Sequence, residues 1–321
     1  MPPDKDLHSR ISLERIENAS AAIDPVFLNT PQFECESLST ELGSRIVIKV
    51  ETVNPIRSFK GRGACLYMST IPVGSEVVCA SAGNFGQAMA YAARNRGVRV
   101  TVYAAQNASS LKLDRMKALG ANVILSGHDF DAARSEARTA AAERGARLVV
   151  DSLDIETIEG AGTIGFELLN LPTPLDVLLV ALGNGAMFNG IARVMKAYSP
   201  DTRVIAVGAQ GASAMVDSWR AGRVIEHASV TTIADGIATR SPIPEALQDM
   251  QGLVDDAMLV SDDAIIQGMK LLYRHAGLVA EPSAAVGVAA ILENPQSFRN
   301  GRVGIIVCGG NLTEEQMKSW L

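Results

Sequence analysis

From about residue 75 onward, short apolar runs alternate with helical stretches, and glycines punctuate the changes. Residues 76–80 predict a strand and 86–96 a helix closed by Gly97. A strand follows over 99–104, then a helix over 109–119 with Asn107 or Ser109 as its N-cap and Gly120 just past its end. Residues 122–125 predict a strand, 129–144 an alanine-rich helix stopped by Gly145, and 147–150 a further strand. A second block repeats the pattern: a helix over 157–169, a strand over 177–182, a helix over 186–197 and a strand over 203–207. The unbroken apolar run at 177–182 marks a strand buried on both faces. Helices over 262–275 and 283–292 then precede a strand over 303–307. Strands separated by helices pair in parallel through right-handed crossovers, so the class is α/β with doubly wound sheets. Ahead of both blocks, residues 11–23 have helical spacing, Pro25 and Pro31 break the chain, and the first strand is expected near 46–50.

Composition narrows the function. The chain has 321 residues, 47% of them hydrophobic, enough for two packed domains. A net charge of −6 leaves no electrostatic footprint for nucleic acid. Cys35, Cys65, Cys79 and Cys308 lack metal-ligand spacing and read as reduced thiols of a cytoplasmic protein. The first six residues carry no apolar signal core. The longest apolar region, 177–192, is interrupted by Gly183, Asn184, Gly185 and Asn189, so no membrane span is expected.

Chemistry is expected where loops leave the carboxyl ends of strands, because ligands of open α/β sheets gather there. One such loop, Ser81-Ala82-Gly83-Asn84-Phe85-Gly86, leads from a strand into a helix whose free N–H groups favour an anion. A second, Gly183-Asn184-Gly185-Ala186-Met187, has the small residues that let a phosphate approach consecutive amides. Neither is a Walker motif or a Gly-x-Gly-x-x-Gly fingerprint. The third is Val307-Cys308-Gly309-Gly310-Asn311. A fourth stretch, 54–63, contains Lys60 directly after Phe59, with Pro55 early and Gly61 and Gly63 late. Alone it reads as a tight turn with a solvated lysine. An aromatic neighbour that strips solvent from the amine would instead free it for attack on a carbonyl.

Taken together, Ser58-Phe59-Lys60-Gly61-Arg62-Gly63, Ser81-Ala82-Gly83-Asn84, the loop at 183–187, Glu281-Pro282-Ser283 and Cys308-Gly309-Gly310-Asn311 stand in the order and spacing of one family. Over about residues 20–313 the chain resembles the fold-type II pyridoxal-phosphate enzymes of the threonine/serine dehydratase and serine racemase group, with phenylserine dehydratases among them. The resemblance implies a tryptophan synthase β-like fold with the cofactor, pyridoxal 5'-phosphate, in a cleft between two domains. Residues 1–73 and 151–321 would form the larger domain and 74–150 the smaller. It implies a homodimer acting on a small β-hydroxy amino acid. Lys60 matches the lysine that forms the Schiff base and removes the Cα proton, and Phe59 the aromatic beside the cofactor ring. Asn84 matches the asparagine on the ring's 3-hydroxyl. Ser81, Ala82, Gly83 and Asn84, with Phe85, resemble the grip on the substrate carboxylate. Gly183, Asn184, Gly185, Ala186 and Met187 resemble the phosphate cradle. Gly236 matches a backbone contact near the ring, Glu281 an acid near the cofactor and Cys308 the partner of the pyridine nitrogen. A neutral thiol there suits expulsion of a β-leaving group better than transamination, which needs a deeper electron sink.

Departures from the family pattern sharpen the reading. The racemases place a serine directly before the motif glycine, and Ala82 stands there, so dehydration is expected over racemisation. Gly208 and Ala214 replace the acids of the family's divalent-cation site, so no metal is expected. Phe85 replaces a histidine, which would suit a larger apolar substrate group such as an aryl. Arg57 replaces the glycine before Ser58; it is either a solvated loop residue or a contact to a carboxylate. The Asn54-Pro55 pair resembles the threonine synthases, leaving a β-replacement synthase, a racemase and a non-catalytic cofactor-binding protein as alternatives.

Overall fold

A computed structural model describes residues 9–321 apart from 95, 107 and 129, and of Asp131 the backbone alone. The expectations placed on the first six residues, on Asn107 as a cap and on Asp129 as a helix start lie outside the described residues. Among the described residues ten strands build two sheets. In chain order they are β1 (Gln32–Glu34), β2 (Arg45–Val50), β3 (Glu76–Ala80), β4 (Arg99–Ala104), β5 (Asn122–Leu125), β6 (Arg147–Leu148), β7 (Val177–Ala181), β8 (Arg203–Ala209), β9 (Asp256–Val260) and β10 (Arg302–Val307). A six-stranded sheet runs β1-β2-β10-β7-β8-β9, and a four-stranded sheet runs β5-β4-β3-β6. Every pairing is parallel except β1 with β2. The chain is thus an α/β fold with mostly parallel sheets, as the alternation of strands and helices implies.

Residues between these strands become helices for local reasons. Ser261 accepts the Ala264 N–H and starts Asp262–Ala276, which carries two acids in its first turn, Arg274 and His275 in its last, and Gly277 in a left-handed stop. Several elements differ from expectation, among them β9 and the helices Ala214–Ala221, Pro244–Asp249 and Glu314–Trp320, which no expectation covered. The antiparallel strand β1 and the helix Glu36–Leu42 precede the strand expected first, because three residues with half-exposed faces carry no apolar run. The lysine stretch is not all turn: Lys60–Ser69 is a helix that begins at the lysine itself. Gly63 serves helix crossing, since a Cβ on it would fall 2.6 Å from the Thr157 carbonyl oxygen. The facing Gly160, in the helix Ile155–Leu168, would bring a Cβ to 2.5 Å from the Gly63 Cα.

That helix is held by buried charge. The side chain of Arg62 is fully buried and forks onto Glu51, just past β2, at 2.8 and 2.9 Å. Its other nitrogen reaches Glu167 at 2.6 Å and Thr163 at 2.9 Å on Ile155–Leu168. Lys49 of β2 pairs with the same Glu167 at 2.5 Å and donates to the Thr30 carbonyl. Two cations and two carboxylates neutralise each other, and removal of one leaves its partners charged in a dry interior. No helix among the described residues is long and apolar enough to cross a membrane. Replacing Arg62 by leucine should lower unfolding free energy by about 3–5 kcal/mol in urea titrations of the cofactor-free protein. A loss below about 1 kcal/mol would contradict this role for the network.

Candidate active site

Three neighbouring strands of the larger sheet deliver three of the motifs side by side. β2 leads to the lysine stretch, β10 to Cys308 and β7 to the loop at 183–187, and the register keeps the β2 and β10 ends level, Val50 opposite Val307. From the smaller sheet, the neighbours β3 and β6 deliver Ser81 to Asn84 and Asp151. Backbone bonds stitch the larger set together: the Phe59 N–H donates to the Cys308 carbonyl at 3.0 Å, and Ser58 bridges Gly309.

Lys60 is half-buried, with its Nζ 4.8 Å from the Phe59 ring centre and 5.9 Å from that of Phe85. Both rings are buried. The amine donates to Asp151 Oδ2 at 2.5 Å, and Asn184 Nδ2 donates to the same oxygen at 2.7 Å. One carboxylate therefore joins the lysine to the loop at 183–187. Its other oxygen, Oδ1, is buried without a hydrogen-bond partner. Sequence reasoning missed Asp151; its signal was an acid just past the carboxyl end of a predicted strand.

The loop at 183–187 feeds the helix Ala186–Tyr198. Gly185 sits at φ +100°, a conformation that favours glycine, and no side chain caps the helix. The free N–H groups of that first turn, which includes the buried Ala186 and Met187, suit a phosphate. Gly183 packs against Gly236 and Ile237, so those segments meet.

On the opposite side, Asn84 opens the helix Asn84–Arg94. Its Nδ2 donates to Glu281 Oε1 at 2.8 Å, and its Oδ1 accepts from Asn311 Nδ2 at 2.8 Å. Asn311 also donates its backbone N–H to Glu281 Oε2 at 3.0 Å. Gly309 permits this, because a Cβ there would lie 2.4 Å from the Glu281 carboxyl. Gly236 packs on Ser283, whose buried hydroxyl has no partner in the structure. Burial, aided by the Asp235 charge, pushes the Glu281 carboxyl up to about 7. Burial, aided by Glu281, pushes the Cys308 thiol far up, so it is uncharged at neutral pH. Ser81 is engaged inside its own loop, accepting the Gly86 N–H at 2.9 Å and the Gly83 N–H at 3.2 Å. Ala82 and Gly83 are half-buried beside it. Arg57 is exposed and adopts φ +51°, the left-handed region, which costs a non-glycine residue about 1–2 kcal/mol.

These residues fit pyridoxal phosphate: an uncapped helix start for the phosphate, an amine beside it, aromatic rings, and an uncharged buried thiol at a strand end. Glu281 also gives a signature in stability. With a folded-state value near 7 against an ordinary 4.5, the folded chain holds an extra proton between those limits. This contribution to stability therefore falls as pH rises from about 4.5 to 7, by up to about 3 kcal/mol. In Glu281→Gln that part of the pH dependence should vanish from urea titrations of the cofactor-free protein; an unchanged slope contradicts it.

Comparison with known proteins agrees with the geometry. The family model described as "Pyridoxal-phosphate dependent enzyme" matches residues 23–309. A serine racemase of Oryza sativa subsp. indica is 33% identical over 316 residues, covering 96% of this chain and 91% of that protein. An L-threonine ammonia-lyase of Thermotoga maritima is 33% identical over 305 residues, covering 94% of this chain and 76% of that protein. The solved structure of maize serine racemase superposes with a TM-score of 0.88 at 31% identity and covers 96% of each chain. The chain belongs to the pyridoxal-phosphate-dependent enzymes, in the group of the threonine dehydratases and serine racemases, and its cofactor is pyridoxal 5'-phosphate.

Proposed function

We propose that the protein is a lyase that converts a β-hydroxy amino acid (threonine, serine or a 3-aryl-serine) to a 2-oxo acid and ammonia by α,β-elimination. The observation that carries this is the uncharged Cys308 thiol, buried at the end of β10 beside a Glu281 that itself holds its proton up to about pH 7. Neither group supplies an ionised carboxylate to keep a ring nitrogen protonated, the device on which transamination depends.

In this reading the cofactor would be held by Lys60, by Phe59 and Asn84, by the amides at 183–187, and by Gly236, Glu281 and Cys308. When bound, pyridoxal phosphate supplies a sink for the electron pair released at Cα. Lys60 takes the Cα proton, and Asp151, 2.5 Å from the amine, holds the ammonium that results. The N–H groups at the start of Asn84–Arg94, with the loop 81–84, bind the substrate's α-carboxylate. Phe59 and Phe85 keep water from the amine. Ser81, whose oxygen is engaged by two backbone N–H groups, and Ala82, which has no polar group, leave no acid there to return a proton to Cα. That supports elimination over racemisation.

The chain would work as two bodies, 74–150 against 1–73 with 151–321, and as a homodimer in the cytoplasm. Free thiols at all four cysteines support a reducing compartment.

Purified protein loaded with cofactor should show a visible absorbance band that Lys60→Ala abolishes along with activity. It should release 2-oxo acid steadily from L-threonine, L-serine or phenylserine. Turnover only with an added thiol or other nucleophile would contradict the lyase reading and favour β-replacement. Ala82→Ser should raise D/L interconversion of serine relative to elimination; wild-type racemisation as fast as elimination would overturn the role given to Ala82.

A further inference from the structure

Arg57 adopts a conformation that glycine reaches without strain, in a loop that uses only its backbone. Its N–H donates to the Asn54 carbonyl and its carbonyl accepts the Gly310 N–H, both at 3.0 Å. Asn54 completes the turn, its Oδ1 accepting the Ile56 and Ser58 N–H groups. Glycine would satisfy every one of these bonds, so the guanidinium is not there for the loop.

The loop sets Arg57 beside Asn311, whose Nδ2 donates to the Ile56 carbonyl at 2.9 Å as well as to Asn84. From the smaller-sheet side, Arg115 in the helix Ser110–Ala118 donates to Asn311 Oδ1. Arg115 thus holds through its side chain the asparagine that the Arg57 loop holds through its backbone. Neither arginine has a carboxylate partner among the described residues. Burial, then the Arg57 charge, hold Arg115 below its ordinary value. The buried cation of that helix, Lys112, is already paired with Asp235. The acid on the same asparagine, Glu281, is occupied by Asn84 and Asn311 and holds its proton up to about pH 7. Two cations near that asparagine without a carboxylate partner form a place for an anion, and guanidinium forks suit a carboxylate.

We propose that Arg57 and Arg115 form a subsite for an anionic group on the substrate's side chain, so that the enzyme prefers a β-hydroxy amino acid bearing a second carboxylate. The inference rests on the lyase reading above and adds to its substrates a diacid, placed ahead of the neutral side chains given there. The reaction balances without an oxidant or a reductant. The Cα–H and Cβ–O bonds break, and the proton taken up by Lys60 is returned to the departing hydroxyl, which leaves as water. Hydrolysis of the resulting imine takes up one water and gives a four-carbon 2-oxo dicarboxylic acid and ammonia.

The test compares L-threo-3-hydroxyaspartate with L-threonine on the holoenzyme by 2-oxo acid release. Wild type should favour the diacid in kcat/KM by about tenfold or more, the effect of a charge-assisted contact. Arg57→Gly is suited to φ +51° and should fold; Arg115→Gln leaves an amide near Asn311. Each should lower the diacid-to-threonine ratio about tenfold, chiefly through the KM of the diacid. Calorimetry with succinate, which cannot react, should show binding that weakens in both variants. Elimination from both substrates with an unchanged ratio in both variants would overturn this inference alone. Release of 2-oxo acid from neither substrate, nor from L-serine or phenylserine, would overturn the lyase reading and this inference with it.

Discussion

The position of Lys60 depends on the buried charges around Arg62. Two residues after the lysine, this guanidinium ties the first turn of Lys60–Ser69 to Glu51 past β2 and to Glu167 on Ile155–Leu168. Lys49 closes the set from the strand side. A helix that begins at its reactive residue would otherwise fray there, since its first N–H groups lack helical partners. Ser58 Oγ accepts the Lys60 N–H at a long 3.4 Å, and the network and the Gly63–Gly160 crossing hold the rest of the turn.

Topology then supplies the rest. Because β2, β10 and β7 are neighbours, segments near residues 60, 184 and 308 emerge together although more than a hundred residues separate each from the next. The smaller sheet adds Asn84 and Asp151 from its own pair of neighbours. Asp151 links amine to loop on one side, and Asn84 links Glu281 to Asn311 on the other. The first half of the site sets an amine against a carboxylate; burial keeps the second nearly neutral. A proton leaving Cα needs a base with a stabilised conjugate acid, and that asymmetry provides one.

Much of this was legible in the sequence. The strand and helix alternation gave the fold class, because a period change between apolar runs survives without tertiary context. The loops at 81–86, 183–187 and 307–311 were findable as glycine-rich exits from strands. What could not be read is what only packing creates. Gly61 and Gly63 looked like turn residues, yet they lie inside a helix pressed against Phe27 and Thr157. Asp151, Arg115 and Asn311 acquire meaning from partners distant in the chain. The strand β1 is too short to leave a pattern.

Mapping the cofactor's attachment tests the central claim most directly. The loaded enzyme is reduced with borohydride, digested, and its pyridoxyl-bearing peptide sequenced by mass spectrometry. The account predicts one modified residue, Lys60, at the junction of the two sheets. A pyridoxyl group on Lys49, Lys112 or another lysine, with Lys60 unmodified, would contradict it.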